Sequence, residues 1–509
     1  MYQKLFGSLK NDIPASIVVS FVALPLCLGI ALASNAPLFS GIIAGIVGGI
    51  IVGALSGSAV GVSGPAAGLA AIVITSLELL GSWNAFLLAG VLAGVLQLIA
   101  GFLRGGIIAY YFPSSVIKGM LSGIGIIIIF KQIPHLLGYD VAPLISINWS
   151  GEPDFIQIKN SMGFINPGVF IISIISLPLM IIWDQILAKK FSFFALTPSP
   201  LAVIVLGILI SVAYEYHWLA FSLDESELVQ LPEVNHPLAL WHHLQWPDLS
   251  FLSDWRTYRV AIIIALVASL ETLLCVEATD KMDPHRRITP TNRELKAQGI
   301  GNIISCGIGG LPLTQVIVRS SANITFGAKT KLSAILHGIF LLLFVVSVPE
   351  LLNKIPLASL ASILVIIGYK LVKPALFKQM YQKGWEQFVP FMITILGIVT
   401  FDLLIGVTVG FVTAVFIILR HNYLHSHDIL KVTTENSVKY QINLAEEVSF
   451  LNKGSIIHEL KSLPPGAKVT INGQGSKVID ADVKEVILDF IESAKTKDIE
   501  VHLMGVKLD

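Results

Sequence analysis

Two short segments of this chain offer backbone chemistry where a site would ordinarily offer side chains. Gly61-Val62-Ser63-Gly64-Pro65-Ala66-Ala67-Gly68 and Gly309-Gly310-Leu311-Pro312-Leu313-Thr314-Gln315 place glycine, proline and small residues inside otherwise apolar stretches. Glycine permits extended backbone, and proline suits the first position of a helix because its missing N–H would be unpaired there anyway. Each segment is expected to run extended and then start a helix near its proline. The first N–H groups of a helix lack intrahelical partners and carry the positive end of its dipole, so two such ends facing each other form an anion site made of backbone. An ordinary proline kink is the alternative for either segment alone.

Two ionisable side chains belong to the same chemistry. Glu271 sits in the apolar run Ala268-Ser269-Leu270-Glu271-Thr272-Leu273-Leu274-Cys275. A carboxyl at membrane depth is costly unless paired or wet, and it can hold a proton or help ligate a cation. Glu271 is therefore the expected coupling residue, with a structural hydrogen-bonding role as the alternative. Arg319 follows Pro312 by seven residues. It supplies fixed positive charge behind the anion site or pairs with an acidic residue.

The elements that must position these groups follow from composition. The chain has 509 residues, 54% hydrophobic and 13% charged, where a soluble chain is nearer about 25% charged. Residues 430–509 hold 10 Lys/Arg and 12 Asp/Glu, leaving 24 and 22 for the first 429; the membrane part and a water-soluble tail separate there. A net charge of zero lacks the Lys/Arg surplus that nucleic acid demands. Cys27, Cys275 and Cys306 lie in apolar segments, which excludes a disulfide framework. No nucleophile triad, phosphate loop or dinucleotide motif is present, so no enzyme and no cofactor is expected.

Fourteen apolar segments are expected, at 13–33, 39–56, 64–80, 84–103, 113–137, 167–187, 196–216, 258–280, 290–308, 312–325, 332–352, 355–373, 387–402 and 404–421. The first, preceded by Lys4 and Lys10, has the length of about twenty residues that spans a bilayer and reads as a retained helix, not a cleaved leader. With the N-terminus inside, eighteen Lys/Arg fall in inner segments and four (Lys159, Arg256, Arg259 and Lys354) in outer ones, as the positive-inside rule requires. Both termini are then cytoplasmic, and the two longest outer loops are acidic, with Asp140, Glu152 and Asp154 in one and Asp224, Glu225, Glu227, Glu233, Asp248 and Asp254 in the other. The two broken segments are third and tenth. Seven apart, they imply two seven-helix repeats, the second inverted, with a site at the bilayer midplane.

Several features have plainer readings. Gly41, Gly45, Gly49, Gly53 and Gly57 make a smooth face for helix packing. Lys131, Glu78 and Asp184 lie near span ends and snorkel, while Glu277 and Asp280 are expected to pair with nearby bases. His421, His425 and His427 read as a juxtamembrane polar segment, not a metal cluster.

The stretch Ser269-Leu270-Glu271-Thr272-Leu273-Leu274, the run Asn292-Arg293-Glu294-Leu295-Lys296-Ala297-Gln298-Gly299-Ile300-Gly301-Asn302, and Gly309-Gly310-Leu311-Pro312 leading to Arg319-Ser320-Ser321-Ala322-Asn323 closely resemble the SulP family of inorganic anion transporters, prokaryotic relatives of prestin. Asp12, Pro25, Gly64 and Pro65 match its first and third helices, and the resemblance covers about residues 10–425. It implies an α-helical polytopic membrane protein with the inverted-repeat fold of nucleobase transporters. It also implies a core of helices 1–4 and 8–11, a gate of helices 5–7 and 12–14, sulfate, bicarbonate or dicarboxylate-type substrates, and a homodimer. Many members carry Gln after the first-helix proline; this chain has Leu26, as cyanobacterial sodium-dependent bicarbonate transporters do. Those carry Asp and, one turn later, Thr as sodium ligands where this chain has Glu271 and Cys275. A thiol ligates hard cations poorly, so Glu271 is more like that of proton-coupled relatives.

The expected anion set is Pro25, Leu26, Ser63, Gly64, Pro65, Ala66, Ala67, Pro312, Leu313, Thr314 and Gln315. The coupling-ion set is Glu271, Cys275 and Gln315, with Arg319 as electrostatic support and no metal. The tail reads as strands at 437–444, 467–472 and 499–504 with helices near 452–463 and 481–496, which resembles a shortened STAS domain. Ala481 stands where regulatory STAS domains carry a phosphorylatable Ser. The expected function is secondary active transport of an inorganic anion across the plasma membrane, proton-coupled and elevator-like; sodium-coupled bicarbonate symport and an uncoupled channel or exchanger are the alternatives.

Overall fold

The computed structural model describes residues 8–107, 113–138, 165–191, 194, 197–219, 221–232, 242–401, 403–424, 427–434 and 437–506. Lys4, Asp140, Glu152, Asp154, Lys159, Glu233 and His425 lie outside the described residues. The chain divides into two compact units, Met1–Gln379 with Phe391–Thr408, and Met380–Pro390 with Val409–Asp509.

The principal helices of the first part are α1 (Leu9–Ala33), α2 (Leu38–Val47), α3 (Ala67–Leu80), α4 (Trp83–Phe102), α5 (Ser114–Leu137), α6 (Pro167–Ile182) and α7 (Ser199–Glu215). They continue as α8 (Trp255–Met282), α9 (Thr291–Gly307), α10 (Ile317–Thr325), α11 (Leu332–Ser347), α12 (Leu357–Leu371), α13 (Trp385–Thr400) and α14 (Leu403–Leu424). Eight helical stretches among the described residues are long and apolar enough to cross a membrane; α3, α7, α11 and α13 are shorter apolar helices. This is a helical membrane protein, and its helices coincide with the apolar runs because apolar side chains all round a helix suit lipid and protein interior alike.

Local signals set the ends. Asp254 caps α8, its carboxylate accepting the Arg256 N–H at 3.0 Å. Gly81, at φ 67°, ends α3 in the left-handed conformation. The glycine face of α2 serves packing: a Cβ on Gly49 would lie 2.6 Å from Gly338 Cα on α11, so the two backbones touch there. An apolar cluster gathers Val22, Leu26, Ile42, Ile204, Leu341 and Leu360 from α1, α2, α7, α11 and α12.

The two broken segments differ from expectation in one respect. Neither helix starts at its proline. Pro65 lies in a three-residue strand, β1 (Ser63–Pro65), and α3 begins at Ala67; Pro312 precedes a second strand, β2 (Leu313–Gln315), and α10 begins at Ile317. The strands pair antiparallel with Gly64 opposite Thr314. Backbone groups at this depth find no water and must bond within the protein, which holds both segments extended until the ladder ends.

The tail has its own core. Strands β3 (His427–Thr434), β4 (Ser437–Leu444), β6 (Lys468–Asn472) and β8 (Glu500–Met504) form a sheet in the order β3-β4-β6-β8, antiparallel at the first pairing and parallel at the others. β5 (Glu447–Val448) and β7 (Val478–Ile479) pair separately. Helices α15 (Lys453–Ser462) and α16 (Ala481–Lys495) contribute Ile456, Leu460, Val483 and Ile487 to a cluster with Val469 and Ile471. β3 was not expected: it begins at His427 inside the stretch read as juxtamembrane, so the sheet starts before residue 430. His421 bonds Glu386 at 3.0 Å, and among the described residues no cluster could hold a metal.

Candidate functional site

The β1–β2 ladder sets the heads of α3 and α10 beside each other, because each helix leaves its strand after one extended residue, Ala66 and Val316. Ser63, Gly64, Pro65, Ala66, Pro312, Leu313, Thr314 and Gln315 are buried, whereas Ala67, Val316 and Ile317 are half-buried. The mouth of the site is thus formed by the helix heads.

α8 runs across both heads and presents a different side chain to each. Gly68, in the first turn of α3, lies against the Glu271 carboxyl. A Cβ at Gly68 would lie 2.6 Å from Glu271 Oε2 and 2.7 Å from Oε1, so only glycine lets the carboxyl approach. One turn along α8, which packs against α10, stands Cys275. Both side chains are half-buried, and Glu271 Oε2 has no hydrogen-bond partner. The Gln315 N–H donates to Thr272 Oγ1 at 3.3 Å and Gln315 Nε2 to Thr279 Oγ1 at 3.0 Å, tying β2 to the same helix.

Arg319 is fully buried. Its guanidinium lies against β1, with Nη1 nearest and Cζ 3.0 Å from where a Gly64 Cβ would stand, and Nη2 donates to Cys27 Sγ at 3.3 Å. Nε and Nη1 have no partner, and no ion pair to a carboxylate exists among the described residues. Of the two roles open to it, pairing with an acid does not occur. Its charge stands directly behind the strand that launches α3.

Pro25 and Leu26 are buried on α1, and Leu26 packs into the apolar cluster shared with α7 and α12. Glu277 pairs with Lys281 at 2.5 Å as expected, whereas Asp280 accepts the Thr289 N–H and hydroxyl, each at 2.7 Å. Asp184 pairs with Lys370 at 3.0 Å.

Residues given no role from sequence hold the ladder in place. Asn302 on α9 grips one residue twice: its Oδ1 accepts the Leu313 N–H at 2.6 Å and its Nδ2 donates to the Leu313 carbonyl at 3.1 Å. Asn302 Nδ2 also donates to Gln97 Oε1 at 2.6 Å, and Gln97 Nε2 donates to Ser269 Oγ on α8 at 3.2 Å. One turn back, Gln298 Nε2 donates to Ser63 Oγ at 2.8 Å and to Glu294 Oε1 at 3.0 Å. Glu294, Gln298 and Asn302 stand at the four-residue spacing that shares one helix face, inside the run that carries the family resemblance.

The arrangement can attract an anion to two helix heads backed by a buried guanidinium, with a carboxyl competing for one head. The sequence profile described as the Sulfate permease family matches residues 9–394. Over 443 residues the chain is 27% identical to YvdB of Bacillus subtilis (strain 168), named as a candidate sulfate transporter, covering 84% of this chain and 78% of that protein. It is 26% identical over 438 residues to the bicarbonate transporter BicA of Picosynechococcus sp. (strain ATCC 27264 / PCC 7002 / PR-6), covering 84% and 73%. In fold it is similar to the murine anion transporter Slc26a9 in its inward-facing state, with a TM-score of 0.78 at 15% identity over 98% of this chain and 86% of that one. Its relatives are transporters and not enzymes, and the chain belongs to the sulfate permease family.

Proposed function

We propose that the chain carries a small inorganic anion of the sulfate or bicarbonate class across the plasma membrane, driven by a proton. The observation that carries this reading is the Glu271 carboxyl packed against Gly68 at the head of α3. An ionised carboxylate there blocks the helix head the anion needs and repels the anion itself. Protonation relieves both effects, so each ligand favours the other's binding, which is the thermodynamic content of symport. The alternative of sodium coupling is weakened by Cys275, whose soft thiol replaces the oxygen donor a hard cation prefers.

The movement follows from the same division of labour. Fourteen membrane segments form two inverted seven-helix repeats, with α1–α4 and α8–α11 as a core that carries the site and α5–α7 and α12–α14 as the gate it slides against. Both termini face the cytoplasm, the tail is a STAS-like module, and two copies assemble as a homodimer. Uptake of labelled sulfate, bicarbonate and fumarate into proteoliposomes, side by side, names the substrate: saturable, pH-gradient-driven uptake of one oxyanion is expected. A large conductance without accumulation would favour a channel.

A further inference from the structure

The end of α8 beyond its apolar run borders a cavity of about 280 Å³ that the anion site does not use. Its walls combine two chemistries. Leu273, Val276 and Ile288 give it an apolar side, and Lys281, Arg286 and Arg287 a basic one. Ile288 is 85% exposed, and nearby Leu103 and Phe102, at the end of α4, are 78% and 67% exposed. Asn292, next to the cavity-lining Thr291, accepts the Gly106 N–H at 2.9 Å, and Lys296 Nζ on the same helix lies 4.4 Å from the centre of the Phe102 ring.

The acids of the cavity are already engaged. Glu277 bonds Lys281, and Asp280 takes two donors from Thr289. Arg287 holds Asp283 at 2.6 Å and the Lys329 carbonyl at 2.7 Å. Arg286 has no acidic partner among the described residues; its recorded bond is from Nη1 to the Lys281 carbonyl at 2.6 Å. A guanidinium with donors to spare matches a phosphate oxygen pair. Large apolar side chains exposed beside such a cation, at the end of a membrane helix, match the glycerol and upper acyl region behind a headgroup.

We propose that this cavity binds the phosphate of an anionic phospholipid from the surrounding bilayer, with Arg286 and Lys281 as its donors and Leu273, Val276 and Ile288 against its acyl chain. A free phosphate would satisfy the cation but leave the apolar wall bare, and a neutral lipid would do the reverse.

The test is thermal protection and lipid retention of the purified full-length protein, measured by native mass spectrometry, against phosphatidylglycerol, phosphatidylcholine and inorganic phosphate. Phosphatidylglycerol alone should be retained and should raise the melting temperature, and Arg286→Gln with Lys281→Gln should raise its half-saturating concentration roughly tenfold. If that pair folds poorly, Arg286→Gln alone, which loses one bond to a carbonyl, should shift it in the same direction. Unchanged phosphatidylglycerol affinity in folded variants, equal retention of phosphatidylcholine, or equal protection by inorganic phosphate would each overturn the assignment.

Discussion

The heads of α3 and α10 are alike in backbone and unlike in chemistry. Each follows a three-residue strand, the two strands pair with each other, and each head receives a side chain from α8. The α3 head faces the Glu271 carboxyl at Gly68, and its strand is backed by Arg319 at Gly64. The α10 helix packs against the same α8, which one turn on carries the thiol of Cys275. On the proposed function, the α3 head is the one whose charge a proton changes, and the α10 head binds without that switch.

The most damaging way to break this pair is to fill it. Replacing Ala66 or Thr314, which are 2% and 0% exposed, with Leu or Phe should reduce anion uptake by roughly 100-fold or more while leaving a folded, membrane-inserted protein by size exclusion. Undiminished uptake with unchanged affinity in both variants would remove the site from the helix heads.

A gentler change separates the two heads. Gly68→Ala puts a methyl where the Glu271 carboxyl now rests, so the carboxyl must leave the α3 head. Moving the carboxyl off the helix head predicts a roughly tenfold fall in proton-driven accumulation, read as the ratio of gradient-driven uptake to anion exchange at equal pH. At the α10 head, Cys275→Ser should change half-saturation for the anion by less than about threefold, in sodium-free buffer. A sodium requirement in the unmodified protein would reverse the roles given to the two heads.

The smallest effect is expected from the tail. Deleting residues 427–509, the whole sheet-bearing tail, should lower dimer yield, by cross-linking, more than it lowers transport per molecule, which should change by less than about twofold. Phosphate on any tail hydroxyl that altered flux would contradict a purely structural tail; Ala481, at the start of α16, offers none.

Much of this was legible before any coordinates. Apolar runs of bilayer length announce their helices, because lipid makes the helix the cheapest way to satisfy a backbone. The paired Gly-Pro segments and the lone carboxyl at Glu271 stood out against an apolar background. The β1–β2 ladder was not legible: three residues are too few for a strand pattern, and their partners lie some 250 positions away. The ladder is why the helices start at Ala67 and Ile317, two and five residues beyond the prolines near which the sequence places them. Nor could sequence assign Asn302, Gln97 or Gln298, whose roles consist of bonds to distant backbone and side chains. Gly68 acts through the side chain it lacks, which only the position of Glu271 reveals.

The most direct test of the account is gradient-driven uptake by the unmodified protein and by Glu271→Gln, with an imposed pH gradient and with sodium present or absent. Glutamine has the shape and charge of the protonated acid, so the variant should bind and exchange anion yet fail to concentrate it when the outside is acidic, while the unmodified protein concentrates it without sodium. If the variant still accumulates anion using protons, the coupling group lies elsewhere. If the unmodified protein accumulates only with sodium at symmetric pH, the driving ion is not the proton.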